Sequence, residues 1–192
     1  MPSFDLKGIR CGKYVNTSGT ITYTGHCAVG DAMNCNLELK YAEGRLYAES
    51  TLAEYLKLAT GGSISIAVKY IKDDAAKIMY GATATSRTVS EKAVTGLKYT
   101  AKDIGDYVGV AFYAPDKIDG VTKYTCVFIT KALFGPPGMN FQTKGDNIQF
   151  NTPTTSGEFL ADDSTTQGLL ETAVCDTETE AIAWTKAVLG ET

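Results

Sequence analysis

The chain has 192 residues, 18 of them basic and 22 acidic, for a net charge of −4 and a pI near 5.1. That balance excludes a surface built to grip phosphates by bulk charge, and the 44% apolar content suffices for a real core in a single domain, residues 1–192. No stretch approaches the roughly 20 apolar residues that cross a bilayer, and MPSFDLKGIRCGKY lacks an apolar run of signal-peptide length, so a protein made in a cytoplasm with no membrane partner is expected.

Nineteen glycines and eleven tyrosines, with many threonines, tilt the composition toward strands and turns. The segment ITYTGHCAVG offers a short strand over 20–24 and then a glycine-marked turn. In AMNCNLELKY, Met33, Cys35, Leu37, Leu39 and Tyr41 point one way while Asn34, Asn36, Glu38 and Lys40 point the other, the period of a half-buried strand. GSISIAVKYI repeats the signal with Ile64, Ile66, Val68 and Tyr70 inward.

Residues 42–61 separate these two strands, and a connection of this length is far beyond a hairpin loop of two to five residues. Two readings stay open. Leu52, Tyr55, Leu56 and Ala59 have helical spacing and suit a helix lying on the sheet. Alternatively the segment is an arm whose Arg45, Leu46, Tyr47, Leu52, Tyr55 and Leu56 meet a neighbouring subunit, since apolar residues on an arm need a surface to hide them.

DDAAKIMYG predicts a compact helix, capped by Asp73, with Asp74 in the first turn and Gly81 as its stop. Residues 82–103 are polar and weakly patterned and read as irregular. DYVGVAFYA and VTKYTCVFITKALF then read as two strands turning at Asp119-Gly120, so continuously apolar that both faces should be covered. GPPG at 135–138 breaks the chain before a strand carrying Ile148 and Phe150, with Asn151-Thr152-Pro153 to end it and a polar run beyond. GLLETAVC gives a last strand. A C-terminal helix over 176–189 follows, with a capping box from Thr177 to Glu180, an apolar face of Ala181, Trp184 and Val188, and Gly190 at its end. The expected fold is mainly β: a sandwich or barrel of two packed sheets with one flanking helix, a long inter-strand loop and a C-terminal helix.

Chemistry-bearing patterns are sparse. Cys11, Cys27, Cys35, Cys126 and Cys175 are odd in number and contain no CxxC spacing, which favours reduced, mostly buried thiols over a disulfide framework or zinc ribbon. His26 is the only histidine, so a Ser-His or Cys-His pair elsewhere is excluded. Asp73-Asp74 and Asp162-Asp163 are adjacent carboxylates that read as a helix cap and a polar loop, not as a general acid and base. No catalytic residue, metal site or cofactor is expected.

The order of YVGVAFYAPDKIDGVTKYTCVFITKALFGPPGMNFQTKGDNIQFNTPTTSGEF and then CDTETEAIAW resembles the major tail protein of long-tailed bacteriophages, in the phi13-like group. The resemblance extends upstream through 33–41 and DDAAKIMYG and covers most of the chain; GPPG and the cysteines depart from the group's pattern. It implies a structural virion protein, the tail tube subunit, whose copies close hexameric rings that stack into a tube for DNA delivery. The implied partners are further copies of the chain, the tape measure, tail terminator and distal tail proteins, and double-stranded DNA passing without specific binding. The implied site is the virion tail, assembled in the bacterial cytoplasm.

On this resemblance 42–61 takes the position of the loop that reaches the adjacent ring, and Lys144, Asp146, Thr152 and Thr154 become candidates for contact within a ring. Glu38, Glu43 and Glu49 are candidates for a like-charged lumen wall, or else ordinary solvated surface acids. A β-sandwich binding module, such as a capsid decoration or receptor-recognition domain, is the alternative, because folds of this class host many functions.

Overall fold

The computed structural model of the protein describes residues 4–139, 141, 143 and 152–191. In chain order these form β1 (Lys7–Thr17), β2 (Thr20–Ala28), β3 (Ala32–Ala48), β4 (Thr51–Val68), α1 (Asp73–Tyr80), β5 (Thr83–Val89), β6 (Lys92–Lys98), β7 (Val108–Ile118), β8 (Val121–Phe134), β9 (Thr154–Phe159), β10 (Leu170–Cys175) and α2 (Glu178–Ala187). The protein is mainly β, a sandwich with a C-terminal helix.

Eight strands are hydrogen-bonded into one antiparallel sheet, ordered β2-β1-β7-β8-β9-β4-β3, with β10 also paired to β8. The two layers are parts of this one sheet folded over itself. Ile9 of β1 and Val108 and Val110 of β7 meet Ile64, Ile66 and Val68 of β4 and Phe159 of β9 in a single buried cluster. α1 joins the same cluster through Ala75, Ala76, Met79 and Tyr80.

β7 and β8 are apolar along their length because both of their faces are covered, as their composition predicted. Val110, Phe112 and Ile129 face the main core, while Ala111, Tyr113, Cys126 and Phe128 lie under α2 against Ala181, Trp184 and Leu189. The turn between them carries Asp119 at φ 50° and Gly120 at φ 83°, the left-handed pair that a two-residue hairpin requires. α2 has the expected capping box: the Glu180 amide donates to Thr177 Oγ1 at 3.2 Å and the Thr177 amide donates to Glu180 Oε2 at 3.1 Å.

Three expectations need correcting, and one strand was not foreseen. Residues 42–61 are neither a helix nor a loop, because β3 and β4 continue through them as one ladder to a turn at Glu49-Ser50. Residues 82–103 are not irregular: β5 and β6 form a separate two-stranded sheet, paired from Thr83↔Lys98 to Val89↔Lys92, and almost all of it is exposed. The cap position of α1 is Lys72, with no side-chain bond, and Asp73 is instead a helical residue of the acidic first turn. Finally, β1 is a full strand that the residue pattern did not suggest, with Ile9 and Cys11 in the core.

Where β4 leaves the body, Gly62 lies so close to β9 that an added Cβ would overlap the Glu38 carbonyl and the Phe159 ring. We expect Gly62→Ala to lower stability in urea denaturation by about 1–3 kcal/mol through overpacking. Gly96→Ala, where a Cβ would enter open space, should stay within about 0.5 kcal/mol of the wild type.

Candidate assembly surface

Every residue from Lys40 to Thr60 is exposed, so the outer half of the β3–β4 hairpin stands away from the core. Directly opposed residues of an antiparallel ladder share a face, and the register sorts this arm into two. One face carries the pairs Tyr41↔Ala59, Glu43↔Lys57, Arg45↔Tyr55 and Tyr47↔Leu52. The other carries Ala42↔Leu58, Gly44↔Leu56 and Leu46↔Glu54. All six arm candidates, Arg45, Leu46, Tyr47, Leu52, Tyr55 and Leu56, therefore lie together on the distal part of one hairpin, divided between its two faces.

The first face is knitted by charge. Lys57 Nζ sits 3.1 Å from Glu43 Oε1 and 4.4 Å from the Tyr41 ring centre, and the Arg45 guanidinium lies 3.7 Å from Glu43 and 5.6 Å from the Tyr55 ring centre. The Lys57 ammonium bonded to it holds the Glu43 carboxyl below its ordinary range. The second face is an apolar stripe in which Leu46, Leu56 and Leu58 are 57%, 59% and 56% exposed. Three leucines leaving more than half their surface to water on one stripe make this face a candidate contact surface.

The three acid candidates are not brought onto one surface. Glu38 stands on the outward face of the body of β3, opposite Ser63 of β4, which in turn opposes Glu158 of β9. Strand alternation puts Glu43 on the opposite face from Glu38, where two cations offset its charge. Glu49 sits at the tip in a left-handed turn, φ 48°. Glu158 is the acid that sequence reading passed over, although its place before the inward Phe159 in a strand pattern is the signal that would have found it. It pairs with Lys40, and Asn36 donates to Glu38 at 3.3 Å, so this outward face is polar with a net acidic edge.

Thr154 opens β9 opposite Ala67 and is exposed, while Thr152 is half-buried just before it. The polar run is thus partly an interior strand of the sheet: Thr155 is buried and donates to the Gly135 carbonyl at 3.2 Å. Lys144 and Asp146, with Ile148 and Phe150, lie outside the described residues.

The paired carboxylates have structural partners. Asp74 bonds Lys77 at 2.9 Å; Asp162 accepts from the Ser164 and Gly168 amides at 3.0 Å; Asp163 bonds Lys131 at 2.7 Å. Among the described residues no group of three or more His, Cys, Asp or Glu side chains is placed to hold a metal ion. Among the same residues no helix is long and apolar enough to cross a membrane. No protein-family model matches this chain, and no curated protein matches it.

Because the Glu43 carboxyl is lowered in the folded arm, its pair with Lys57 contributes above the ordinary glutamate value of about 4.3 and is lost as pH falls through the lowered one. A carboxyl titration followed by NMR should place Glu43 below ordinary glutamates, and Lys57→Met should return it toward them. The protection factors of the Gly44 and Leu56 amides, corrected for the intrinsic slowing of exchange toward acid, should fall over the same window.

Proposed function

We propose that this chain is the major tube subunit of a bacteriophage tail, a structural protein that assembles with copies of itself into stacked hexameric rings around a DNA channel. The observation that carries the reading is the arm: a long two-stranded projection with an uncovered leucine stripe has no use in a monomer and needs a partner surface. The residue order from Tyr107 to Phe159 and the acidic, tryptophan-bearing C-terminal helix support the same reading through their resemblance to phi13-like tail proteins.

Two further features fit a ring of identical copies. Among the described residues β2 and β3 end the strand path, each with one strand neighbour, as β10 has in β8, and they are different surfaces. Contact between unlike surfaces is head to tail, and it closes rings or propagates filaments according to the rotation it imposes. The outward face suits a wall past which a polyanion slides, with Glu38 supplying the acid while Lys40 offsets Glu158, within the roughly 8 Å over which charge acts at physiological salt. Tape measure, terminator and distal tail proteins are the partners such a tube needs at its interior and ends, and the virion tail is its location.

Negative-stain electron microscopy of the purified protein tests this. Rings or tubes are expected from the wild type, and monomers alone when residues 42–61 are replaced by a short glycine-serine linker. The double variant Leu46→Glu/Leu56→Glu should keep the monomer's circular dichroism while losing assembly. Assembly unaffected by either change would remove the arm from the interface. Wild-type protein that stays monomeric even when mixed with tail extracts would favour a binding module.

A further inference from the structure

The five cysteines are all free thiols, yet they are not evenly spread. Cys11 of β1 and Cys27 of β2 oppose each other directly in the ladder, with their sulfurs 3.5 Å apart. Directly opposed residues of antiparallel strands have Cα atoms about 4.5–5.5 Å apart, inside the span of roughly 4.4–6.8 Å that a disulfide bridges. The opposed register lets side-chain rotation close the gap, beside the irregularity that the ladder carries between Cys11 and Lys13.

Cys126 and Cys175 make the instructive contrast. Their sulfurs are nearly as close, at 3.8 Å, but the register pairs Cys126 with Ala173 and Cys175 with Tyr124, so the two are diagonal neighbours. Diagonal Cα separations of about 7–8 Å exceed what a disulfide spans without moving the strands. Cys35 lies on β3, away from both pairs, with burial pushing its thiol up to about 12.

We propose that Cys11 and Cys27 are a redox-active pair that closes to a reversible cross-strand disulfide on exposure to a disulfide oxidant such as glutathione disulfide, while the other three cysteines stay reduced. The two thiols are unequal in the way the reaction requires. Cys27 is half-buried and reachable, and Cys11 is fully buried behind it. The two sulfurs are within hydrogen-bonding distance and either can donate; the contact lowers the Cys27 thiol, while the same contact and burial raise that of Cys11. Cys27, the more exposed of the two, is thus the attacking thiolate.

Its sulfur bonds to one sulfur of the oxidant and expels a glutathione thiolate. Cys11 then gives up its proton, attacks the Cys27 sulfur and expels the second glutathione. The net change is two protein thiols oxidised to one disulfide and one glutathione disulfide reduced to two glutathione thiols. The consequence is mechanical. Among the described residues β2 is an edge strand paired with β1 alone, so the bond would staple it to that neighbour.

The test is to treat reduced, purified protein with glutathione disulfide, denature it in iodoacetamide and read intact and peptide masses. The expected result is three alkylated cysteines (Cys35, Cys126 and Cys175), one crosslinked Cys11–Cys27 peptide pair, and full alkylation after dithiothreitol. The oxidised protein should also melt about 5–10 °C higher than the reduced one. In Cys27→Ser, Cys11 should remain fully alkylated. Five alkylated cysteines, or a lasting glutathione adduct on Cys27 with Cys11 alkylated, would overturn the proposal. The wild-type measurement decides this even if the variant folds poorly.

Discussion

β8 is the strand on which the rest of the architecture depends, because it serves three partners with two edges. One edge is bonded to β7 along its length. The other is divided: Tyr124 to Ile129 pair with β10, and Ala132 to Phe134 pair with β9. The first six residues of that edge hold the layer on which α2 sits, and the last three hand the hydrogen-bond ladder to β9, β4 and β3. A strand that must satisfy neighbours on both edges and on both faces has little freedom in composition, which is why VTKYTCVFITKALF is so uniformly apolar beyond its first turn. The handover at Ala132 to Phe134 is also where the sheet folds back. Gly157 of β9 approaches β8 there so closely that a Cβ would strike the Leu133 carbonyl and the Phe134 ring.

The parts of the fold that could be read from sequence are those where a core imposed a period. Ile64, Ile66 and Val68 alternate because one side of β4 is buried, and the capping box of α2 is visible because a helix end has only a few ways to satisfy its amides. The parts that escaped are those where burial does not discriminate. In the arm both faces meet water, so the alternation that would have announced two strands is missing, and Leu52, Tyr55 and Leu56 fall by chance at helical spacing. β5 and β6 escaped for the same reason, with Thr85 and Leu97 their only half-buried residues. β1 was hidden differently: its buried Ile9 and Cys11 are interleaved with Gly8, Arg10 and Gly12, too short an apolar signal to register, although Arg10 is held by an ion pair to Glu191.

The candidate surface was legible in part. A segment of this length with leucines and tyrosines among charges had to be doing something, and the arm reading named the residues that the structure gathers at its end. What could not be read was their division between two faces, which depends on the bulges between Lys40 and Tyr41 and between Leu46 and Tyr47. Those bulges put Arg45 with Tyr55 and leave Leu46 beside Leu56 on the other side. The acids show the limit more sharply. Glu38 and Glu43 are alike in sequence terms, but one stands on an open polar face and the other is clamped between Lys57 and Arg45.

A two-stranded ribbon in water is marginal by itself, so the arm's persistence needs a cause beyond its own ladder. Part of it is continuity: β3 and β4 are already paired in register through the body, from Ala32↔Val68 to Lys40↔Gly61, and the arm extends this ladder without a new nucleation. The Glu43, Lys57, Tyr41 and Arg45 cluster contributes further, since stacked cations and short ion pairs restrain side chains that would otherwise be free. None of this acts on the opposite face, where Leu46, Leu56 and Leu58 gain nothing from the ladder and remain in contact with water. The arm is therefore restrained by side-chain contacts on one face alone, while the leucines of the other, like Tyr47 and Leu52 near the tip of the first, leave more than half of their surface in water. Covering them is the apolar burial that the arm's own ladder does not supply.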